Sequence, residues 1–490
     1  MSNNNVTLKE KLKEVFKHSI VYGLTSSMQS LFGFIMLPIL TKYYTTEEFG
    51  IYSILLLMSA LASAIFYLGA SSSLGRFYFD ENSEAYRKKV ISTALVISLI
   101  GAILLIAITG IFGTIFSKWM FNTEKYTLAI QLSIIGSAAL GFILNLMTLV
   151  LRYEKKSVLF FLITIIGVII NFSITLLLLI KYKLGILAPI YGILISNSIT
   201  LIFLLFKFSK YVSFNVEKKT LYLFLIFGTQ ASAAGLLFYV LDWVDRIIIK
   251  NILSLSDVGI YSLGYRLGSV INILLVMPFS LIWAPMRMQY ANNENASKFT
   301  TKIISYYTLI GTLLILFAIL FANEILELFF KNKDYANAST IFPIIMLSLQ
   351  FYGFQGIVDY GIYLHKKVFI YIVISILGIF INISLNYLLI PKFGYIAAAF
   401  VTLITYFFTT GLTYIISNKL HPMKIEWVRF LTPFILLSFI YLVVIYYPIM
   451  LLIKIAIIPI VFIFLYLFWL NNEEKIVIKN KIRVNLKSLS

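Results

Sequence analysis

Long apolar runs alternate with short polar segments along almost the whole chain. A helix needs about 20 predominantly apolar residues to cross the hydrocarbon core of a bilayer, so the sequence predicts about fourteen spans. The division between the last two is the weakest, because only Tyr446-Tyr447-Pro448 interrupts the apolar run there. The predicted bounds are 18–41, 49–74, 90–116, 127–151, 158–180, 185–206, 220–241, 258–284, 303–322, 340–364, 368–390, 394–417, 429–447 and 449–470. The pattern therefore predicts an all-α integral membrane protein.

The polar segments are short and carry an asymmetric charge. No connection is longer than about 20 residues, which leaves no room for a soluble catalytic domain of 50 residues or more. If the N-terminus is cytoplasmic, about 28 of the 40 Lys and Arg residues lie on the cytoplasmic side. Cytoplasmic loops of membrane proteins are enriched in these residues. An even number of spans returns the basic C-terminal segment to the same side, so we predict that both termini are cytoplasmic.

The segment before the first span is basic and weakly amphipathic. Leu8, Leu12, Val15 and Phe16 recur at helical spacing among lysines, which is typical of a short interfacial helix. The first apolar run is longer than that of a signal peptide and no small-residue cleavage site follows it. We therefore expect an interfacial helix ahead of the first span rather than a cleaved leader.

A motif at the start of the second span recurs later in the chain. Residues 47–53 (EEFGIYS) are echoed by residues 256–262 (SDVGIYS). A second echo pairs Lys155-Lys156 with Lys366-Lys367, and each pair precedes an apolar run with a central asparagine, Asn171 or Asn382. Ordered echoes at one offset indicate a duplicated unit, and repeats of this size are typical of transporters. Six spans separate the copies, so the prediction is two parallel six-helix repeats, residues 1–212 and 213–420, followed by two further spans in residues 421–490.

Composition excludes several classes of function. The chain is 60% hydrophobic and 12% charged, whereas soluble domains carry about 25% charged residues. It has no cysteine and three well-separated histidines, so we predict neither a metal site nor a cofactor. The net charge of +19 is explained by the basic loops, and we expect no nucleic-acid partner.

The repeated motif also carries a family resemblance. Residues 37–41 (LPILT), 43–45 (YYT) and 47–52 (EEFGIY) resemble the first hairpin of the Wzx-type polysaccharide-biosynthesis flippases. Residues 245–249 (DRIII), followed by 258–262 (VGIYS), resemble the start of their second lobe. The resemblance implies membership of the superfamily that also holds the MATE-type antiporters and the lipid II flippases.

The resemblance also implies a function. Proteins of this family transfer an undecaprenyl-diphosphate-linked oligosaccharide, the repeat unit of O-antigen, capsule or exopolysaccharide, from the inner to the outer leaflet of the bacterial cytoplasmic membrane. The implied mechanism is alternating access of the two lobes. The implied partners are the lipid-linked oligosaccharide, the bilayer, a coupling proton or cation and the polysaccharide polymerase machinery. No catalytic residue is expected.

Three arginines are candidates for binding a diphosphate. Arg76 and Arg287 occupy equivalent positions in the two repeats, and two guanidinium groups facing one another would suit a diphosphate. The alternative is that they are ordinary cytoplasmic cations, with Arg76 paired to Asp80 or Glu81. Arg266 lies about eight residues inside its span, roughly 12 Å deep at 1.5 Å per residue. A charge at that depth normally faces a cavity or a charged partner. Arg266 is therefore predicted to line a cavity; the alternatives are that it snorkels to the membrane surface or pairs with Asp242 or Asp245.

Further polar residues suggest gating, coupling and substrate contacts. Asp242, Asp245 and Arg246 cluster near the end of the seventh span; they form either an ion-pair network that fastens the helices or a proton or cation site. Asp359 is a second candidate for coupling.

Gln29 and Gln230 lie on polar stripes of the first and seventh spans. They are predicted to contact the substrate, although such amides also serve helix packing.

Three other functions remain as alternatives. A MATE-type cation-coupled drug antiporter would carry buried carboxylates in its first lobe, and spans 1–6 have none at mid-span. A lipid II flippase would place an arginine in the first span, which has none. A membrane polysaccharide polymerase would need a catalytic motif on an extended outer loop, and the longest outer connection, residues 322–339, is short and lacks His and Arg.

Overall fold

The computed structural model describes residues 8–208, 216–289, 296–365, 367, 369–447, 449–472 and 474–476. This part of the chain is helical, with no strand. The helices are α1 (Leu8–Tyr43), α2 (Thr46–Phe66), α3 (Ala70–Phe77), α4 (Glu84–Phe121), α5 (Thr127–Ser133), α6 (Gly141–Tyr153), α7 (Ser157–Leu176), α8 (Leu187–Phe208), α9 (Lys218–Ile252), α10 (Leu255–Gly268), α11 (Met277–Gln289), α12 (Ala296–Phe329), α13 (Ala338–Val358), α14 (Tyr360–Leu364), α15 (Phe369–Phe393), α16 (Tyr395–Leu420), α17 (Trp427–Tyr446) and α18 (Leu451–Phe464). Turns of π-helix lie at Ile134–Leu140, Leu177–Lys181, Asn272–Val276 and Leu465–Trp469.

The predicted fold class is confirmed. Within the described ranges, 13 helical segments are long and apolar enough to cross a membrane, and α9 covers the remaining predicted span. The protein is therefore a multi-pass membrane protein of about 14 spans. We call α1–α8 the first lobe and α9–α16 the second lobe. We call the end of the helix bundle that contains Tyr44, Thr45 and Ser254 the hairpin end. We call the opposite end, which contains residues 78–83 and 154–156, the basic end.

The N-terminal segment differs from the prediction. The structure has one continuous helix, Leu8–Tyr43, in place of a separate interfacial helix followed by a span. No proline or glycine occurs between residues 8 and 22, so nothing in the sequence breaks the helix there. At 1.5 Å per residue this helix is about 54 Å long, and it extends beyond the hydrocarbon core.

The second and the eighth of the spans predicted as continuous are broken in the structure. The second divides into α2 and α3, because Leu68 and Gly69 adopt left-handed backbone angles, with φ of 47° and 66°. Gly69 lies so close to the backbone of Gly228 in α9 that a Cβ atom would overlap the Gly228 carbonyl. The eighth divides at Ser269 into α10, a π-helical turn and α11. Turns of π-helix often occur at functional sites, and this one faces α1.

The last two spans are fastened to α12 at both of its ends. Near the hairpin end, Lys454 Nζ of α18 lies 2.7 Å from Glu324 Oε1 of α12. Near the basic end, Glu474 pairs with Arg429 of α17 at 2.5 Å and accepts a hydrogen bond of 2.7 Å from Tyr306 of α12. These polar contacts attach α17 and α18 to the second lobe.

Candidate functional site

The two copies of the repeated motif pack against each other at the hairpin end. Thr46 Oγ1 at the start of α2 lies 2.6 Å from Ser256 Oγ at the start of α10. A Cβ atom on Gly50 would overlap the Leu255 carbonyl, and one on Gly259 would overlap the Thr46 carbonyl. The two helices approach this closely only because both positions are glycine. The motif that marks the repeat in sequence therefore joins the lobes in space.

A loop of the second lobe covers the same junction. Tyr335, between α12 and α13, is buried and its hydroxyl donates hydrogen bonds to the carbonyls of Tyr44 (3.2 Å) and Thr45 (2.8 Å). Its ring meets that of Phe49 edge to face at 5.9 Å. Thr45 also caps α2 in a capping box with Glu48, which fixes the acceptor carbonyls. The hairpin end is closed by these contacts.

A cleft between the lobes extends from this junction toward the basic end. It consists of two adjoining cavities of about 330 and 490 Å³ between α1 and the segment α10–α11. Both are lined by Ser30, Ile273 and Met277. The other residues on its walls are Tyr22, Gly23, Ser26, Ser27, Gly33, Phe34, Leu37, Arg152, Arg266, Ser269, Asn272, Pro278, Ser280 and Leu281. Within the described chain this lining holds two arginines and no carboxylate.

Arg266 lies at the closed end of the cleft. It is half-buried on α10, 5.8 Å from the ring centre of Phe49 and 5.7 Å from that of Tyr52. Ser269 Oγ donates a hydrogen bond of 2.6 Å to the Arg266 carbonyl at the point where α10 ends. The structure thus places this arginine on a cavity wall.

Arg152, at the end of α6, is a site residue that the sequence analysis missed. It lines the cleft and also a second cavity inside the first lobe, and its guanidinium lies 5.6 Å from the ring centre of Phe160. Its position seven residues after Asn145, and hence on the same helical face, was the available signal.

The two predicted glutamines lie in different surroundings. Gln29 of α1 lines the cavity inside the first lobe. Gln230 is exposed on α9 and is not among the residues that line either the cleft or that cavity. Its contact with substrate stays a prediction.

The structure does not bring Arg76 and Arg287 together. Arg76 is exposed on α3 and pairs with Asp80 at 2.7 Å, which is the alternative considered for it. Arg287 of α11 pairs with Asp359 at 3.0 Å, and both side chains are 13% exposed. The Tyr371 hydroxyl donates a hydrogen bond of 2.7 Å to the Asp359 carboxylate. Arg287 and Asp359 therefore neutralise each other within the second lobe.

This pair gives a stability prediction. Asp359→Asn removes the only carboxylate bound to Arg287 among the described residues, and a buried charge left without its partner is costly. We expect the variant to lose about 3 kcal/mol of unfolding free energy, measured as a lower midpoint of thermal unfolding in detergent. Lys118→Ala, which removes one member of an exposed pair, is the control. An unchanged midpoint for Asp359→Asn would contradict the prediction.

Asp245 forms the centre of a polar network between four helices. The carboxylate is 1% exposed. It accepts hydrogen bonds from Tyr261 (2.7 Å), Asn386 (2.7 Å) and Thr402 (2.8 Å). Arg246, also buried, stacks 4.4 Å from the ring centre of Tyr265. The side chain of Asp242 lies outside the described part of the structure.

The packing of α9 explains why this network matters for the lobes. At the hairpin end Asp245 ties α9 to the second lobe through α10, α15 and α16. At the basic end α9 packs on the first lobe. There Ser73 donates a hydrogen bond of 2.8 Å to the Phe224 carbonyl, and the stacked rings of Phe77 and Phe224 have centres 5.3 Å apart. Lys89 also pairs with Glu217. One helix therefore contacts both sides of the predicted boundary at residues 212–213.

Comparisons with known proteins agree with this architecture. A family model described as "Polysaccharide biosynthesis protein" matches residues 15–291 of the 490. A structure titled lipid II flippase MurJ, inward closed conformation, is 18% identical with a TM-score of 0.74, covering 92% of this chain and 99% of that one. An inward-facing multidrug resistance MATE family transporter of the MOP superfamily is 15% identical with a TM-score of 0.62, covering 80% and 94%. At these identities the structures show a shared fold. The search of curated protein sequences gave no match.

Proposed function

Because this chain belongs to the polysaccharide biosynthesis protein family, we propose that it is a flippase for an undecaprenyl-diphosphate-linked oligosaccharide. The coarser description, a flippase or transporter with the fold of the MOP superfamily, follows from the family and the structural neighbours. The observation that carries the finer proposal is the cleft between the lobes, which is closed at the hairpin end and lined by arginines without a carboxylate.

The chemistry of this cleft suits the substrate. A lipid-linked saccharide has a diphosphate, a polar glycan and a long apolar tail. Arg266 supplies a guanidinium fork for the diphosphate, and the serines and Asn272 supply hydrogen-bonding groups. An arginine at this depth costs about 2.5–3.5 kcal/mol on insertion scales, so its presence on a cavity wall supports a binding role.

The closed end sets the direction of access. The basic end carries the Lys and Arg clusters and is assigned to the cytoplasm, so the structure corresponds to a state with the outer side closed. In this state the substrate enters from the cytoplasmic leaflet, and movement of the lobes opens the hairpin end to the outer leaflet of the bacterial cytoplasmic membrane. Polysaccharide polymerase machinery would receive the product there.

The main competing function is a cation-coupled drug antiporter, since such transporters share the fold. A site for organic cations needs acidic groups, and the described lining of the cleft has none. The charge of the cleft therefore favours an anionic substrate. A lipid II flippase would share the cleft chemistry and differ in the glycan that it carries.

The proposal is tested by deleting the gene in the source organism and extracting undecaprenyl-linked saccharides. We expect a completed repeat unit to be trapped on the cytoplasmic leaflet and to be released when the gene is restored. Unpolymerised units on the outer leaflet would instead indicate a polymerase. Altered drug tolerance with no lipid-linked intermediate would indicate an antiporter.

Asp245 is the proposed coupling residue for a proton or cation. It is a buried carboxylate, and Asn386 Oδ1 beside it has no hydrogen-bond partner among the described residues. We expect Asp245→Asn to abolish the stimulation of transport by an imposed proton or sodium gradient in proteoliposomes, because the amide keeps the side-chain shape but carries no charge and cannot take up a proton. Glu324→Gln, which removes a carboxylate from the α12–α18 contact, should keep the stimulation. Full stimulation in Asp245→Asn would leave the network with a packing role alone.

A further inference from the structure

The first lobe contains a polar cavity that the proposed diphosphate site does not use. It has a volume of about 430 Å³ and lies between α1, α6, α7 and α8. This volume falls within the range of about 300–1,000 Å³ typical of ligand pockets. The residues that α6 contributes to the lining lie on one face of that helix, since Asn145, Thr148 and Arg152 occupy positions i, i+3 and i+7.

Some of the polar groups around this cavity hold the helices together. Asn197 Nδ2 donates a hydrogen bond of 2.9 Å to the Gly136 carbonyl, and Asn171 Oδ1 accepts a hydrogen bond of 3.2 Å from Thr175. The Ser196 hydroxyl donates a hydrogen bond of 2.6 Å to the Gly167 carbonyl. These contacts have a structural role and fix one wall of the cavity.

Other polar groups face the cavity without such a role. The side-chain amides of Gln29 and Asn145 and the guanidinium of Arg152 make no hydrogen bond or ion pair with the described residues. All three side chains are exposed to the open volume. Polar groups inside a membrane protein need a protein partner, water or a ligand, so these three groups are free to bind a polar molecule that enters the cavity.

The position and charge of the cavity identify that molecule. Amides donate and accept hydrogen bonds, as sugar hydroxyl and acetamido groups do, and the lining has no carboxylate that would favour a cation. Ser26 and Arg152 line both this cavity and the cleft, so the two volumes adjoin. A glycan joined to a diphosphate in the cleft can therefore enter this cavity beside Ser26 and Arg152.

We propose that the cavity inside the first lobe is the glycan-binding site and that it takes a neutral or anionic, hydroxyl- and acetamido-bearing sugar through Gln29, Asn145 and Arg152. This inference rests on the proposed flippase function. It separates recognition of the sugar in the first lobe from recognition of the diphosphate at Arg266 in the second.

The test measures binding to the full chain in lipid nanodiscs. The probes are farnesyl diphosphate without a sugar and the same lipid carrying galactose, N-acetylglucosamine or glucuronate. We expect at least one sugar-bearing lipid to bind more tightly than the bare lipid. In the double variant Gln29→Ala/Asn145→Ala that lipid should lose about 30-fold in affinity, at one net hydrogen bond per amide, while the bare lipid binds as before. Asn251→Ala, an exposed amide at the far end of α9, is the matched control.

The outcomes separate this inference from the proposed function. Equal binding of bare and sugar-bearing lipids to the wild type, or an unchanged sugar preference in the double variant, would overturn the glycan site and leave the flippase standing. Failure of every prenyl diphosphate to bind would overturn the proposed function itself.

Discussion

Arg266→Ala is expected to reduce transfer of the lipid-linked saccharide by about 10- to 100-fold while leaving insertion and folding intact. The side chain lies on the cleft wall beside Phe49 and Tyr52, and hydrogen bonds to charged groups contribute about 1.5–3 kcal/mol each. Each 1.4 kcal/mol corresponds to tenfold in affinity. Transfer is measured as the fraction of labelled lipid that reaches the outer leaflet of proteoliposomes.

Two further variants separate charge from geometry. Arg266→Lys keeps a cation but loses the planar fork that binds phosphate oxygens in pairs, so we expect an intermediate rate. Lys118→Ala removes an exposed cation near the hairpin end of α4 and should transfer lipid at the wild-type rate. If Arg266→Ala also transfers at that rate, the arginine has no part in diphosphate binding.

The number of spans could be predicted from sequence because the bilayer imposes it. Each crossing requires about 20 apolar residues with all backbone groups bonded internally, and this requirement leaves a periodic pattern in the chain. The breaks at Gly69 and Ser269 leave no such pattern. The first arises because Gly69 and Gly228 bring two backbones together, which is a tertiary contact that hydropathy does not report.

The site could be predicted only where a residue violated the membrane pattern. Arg266 stands inside an apolar run, and the cost of burying its charge marked it as unusual. Arg152 obeys the pattern, since basic residues are common at cytoplasmic helix ends. Its spacing from Asn145 indicates a shared helical face, but the spacing alone does not show that this face lines a cavity. The same ambiguity made Arg76 and Arg287 look equivalent, although one pairs with Asp80 and the other with Asp359.

The role of the repeated motif became clear only when its two copies were seen together. Sequence comparison showed that residues 47–53 and 256–262 are alike, and it predicted equivalent positions in two lobes. It did not show that the copies touch. Gly50 and Gly259 allow the contact because neither has a side chain that would keep the two helices apart. The motif therefore marks the duplication and also forms the contact between the lobes, which we call the seam.

A disulfide across this seam is expected to stop transport reversibly. Thr46 Oγ1 and Ser256 Oγ lie 2.6 Å apart, so cysteines at these positions bring two sulfur atoms within reach of a bond of about 2.05 Å. The chain has no cysteine of its own, so Thr46→Cys/Ser256→Cys introduces its only thiols. The alternating access proposed for this protein requires α2 and α10 to separate at the hairpin end. Oxidation should therefore reduce transfer to the background rate, and reduction should restore it.

The structure offers a matched control within one lobe. Ser59 Oγ of α2 lies 2.9 Å from Ser133 Oγ of α5, and both helices belong to the first lobe. Ser59→Cys/Ser133→Cys should cross-link without blocking transport, because in the proposed mechanism the helices within one lobe do not separate. Each single cysteine variant tests for effects of the substitution itself. If the oxidised Thr46→Cys/Ser256→Cys protein still transfers lipid at the wild-type rate, the hairpin end does not open during transport and the substrate leaves by another path.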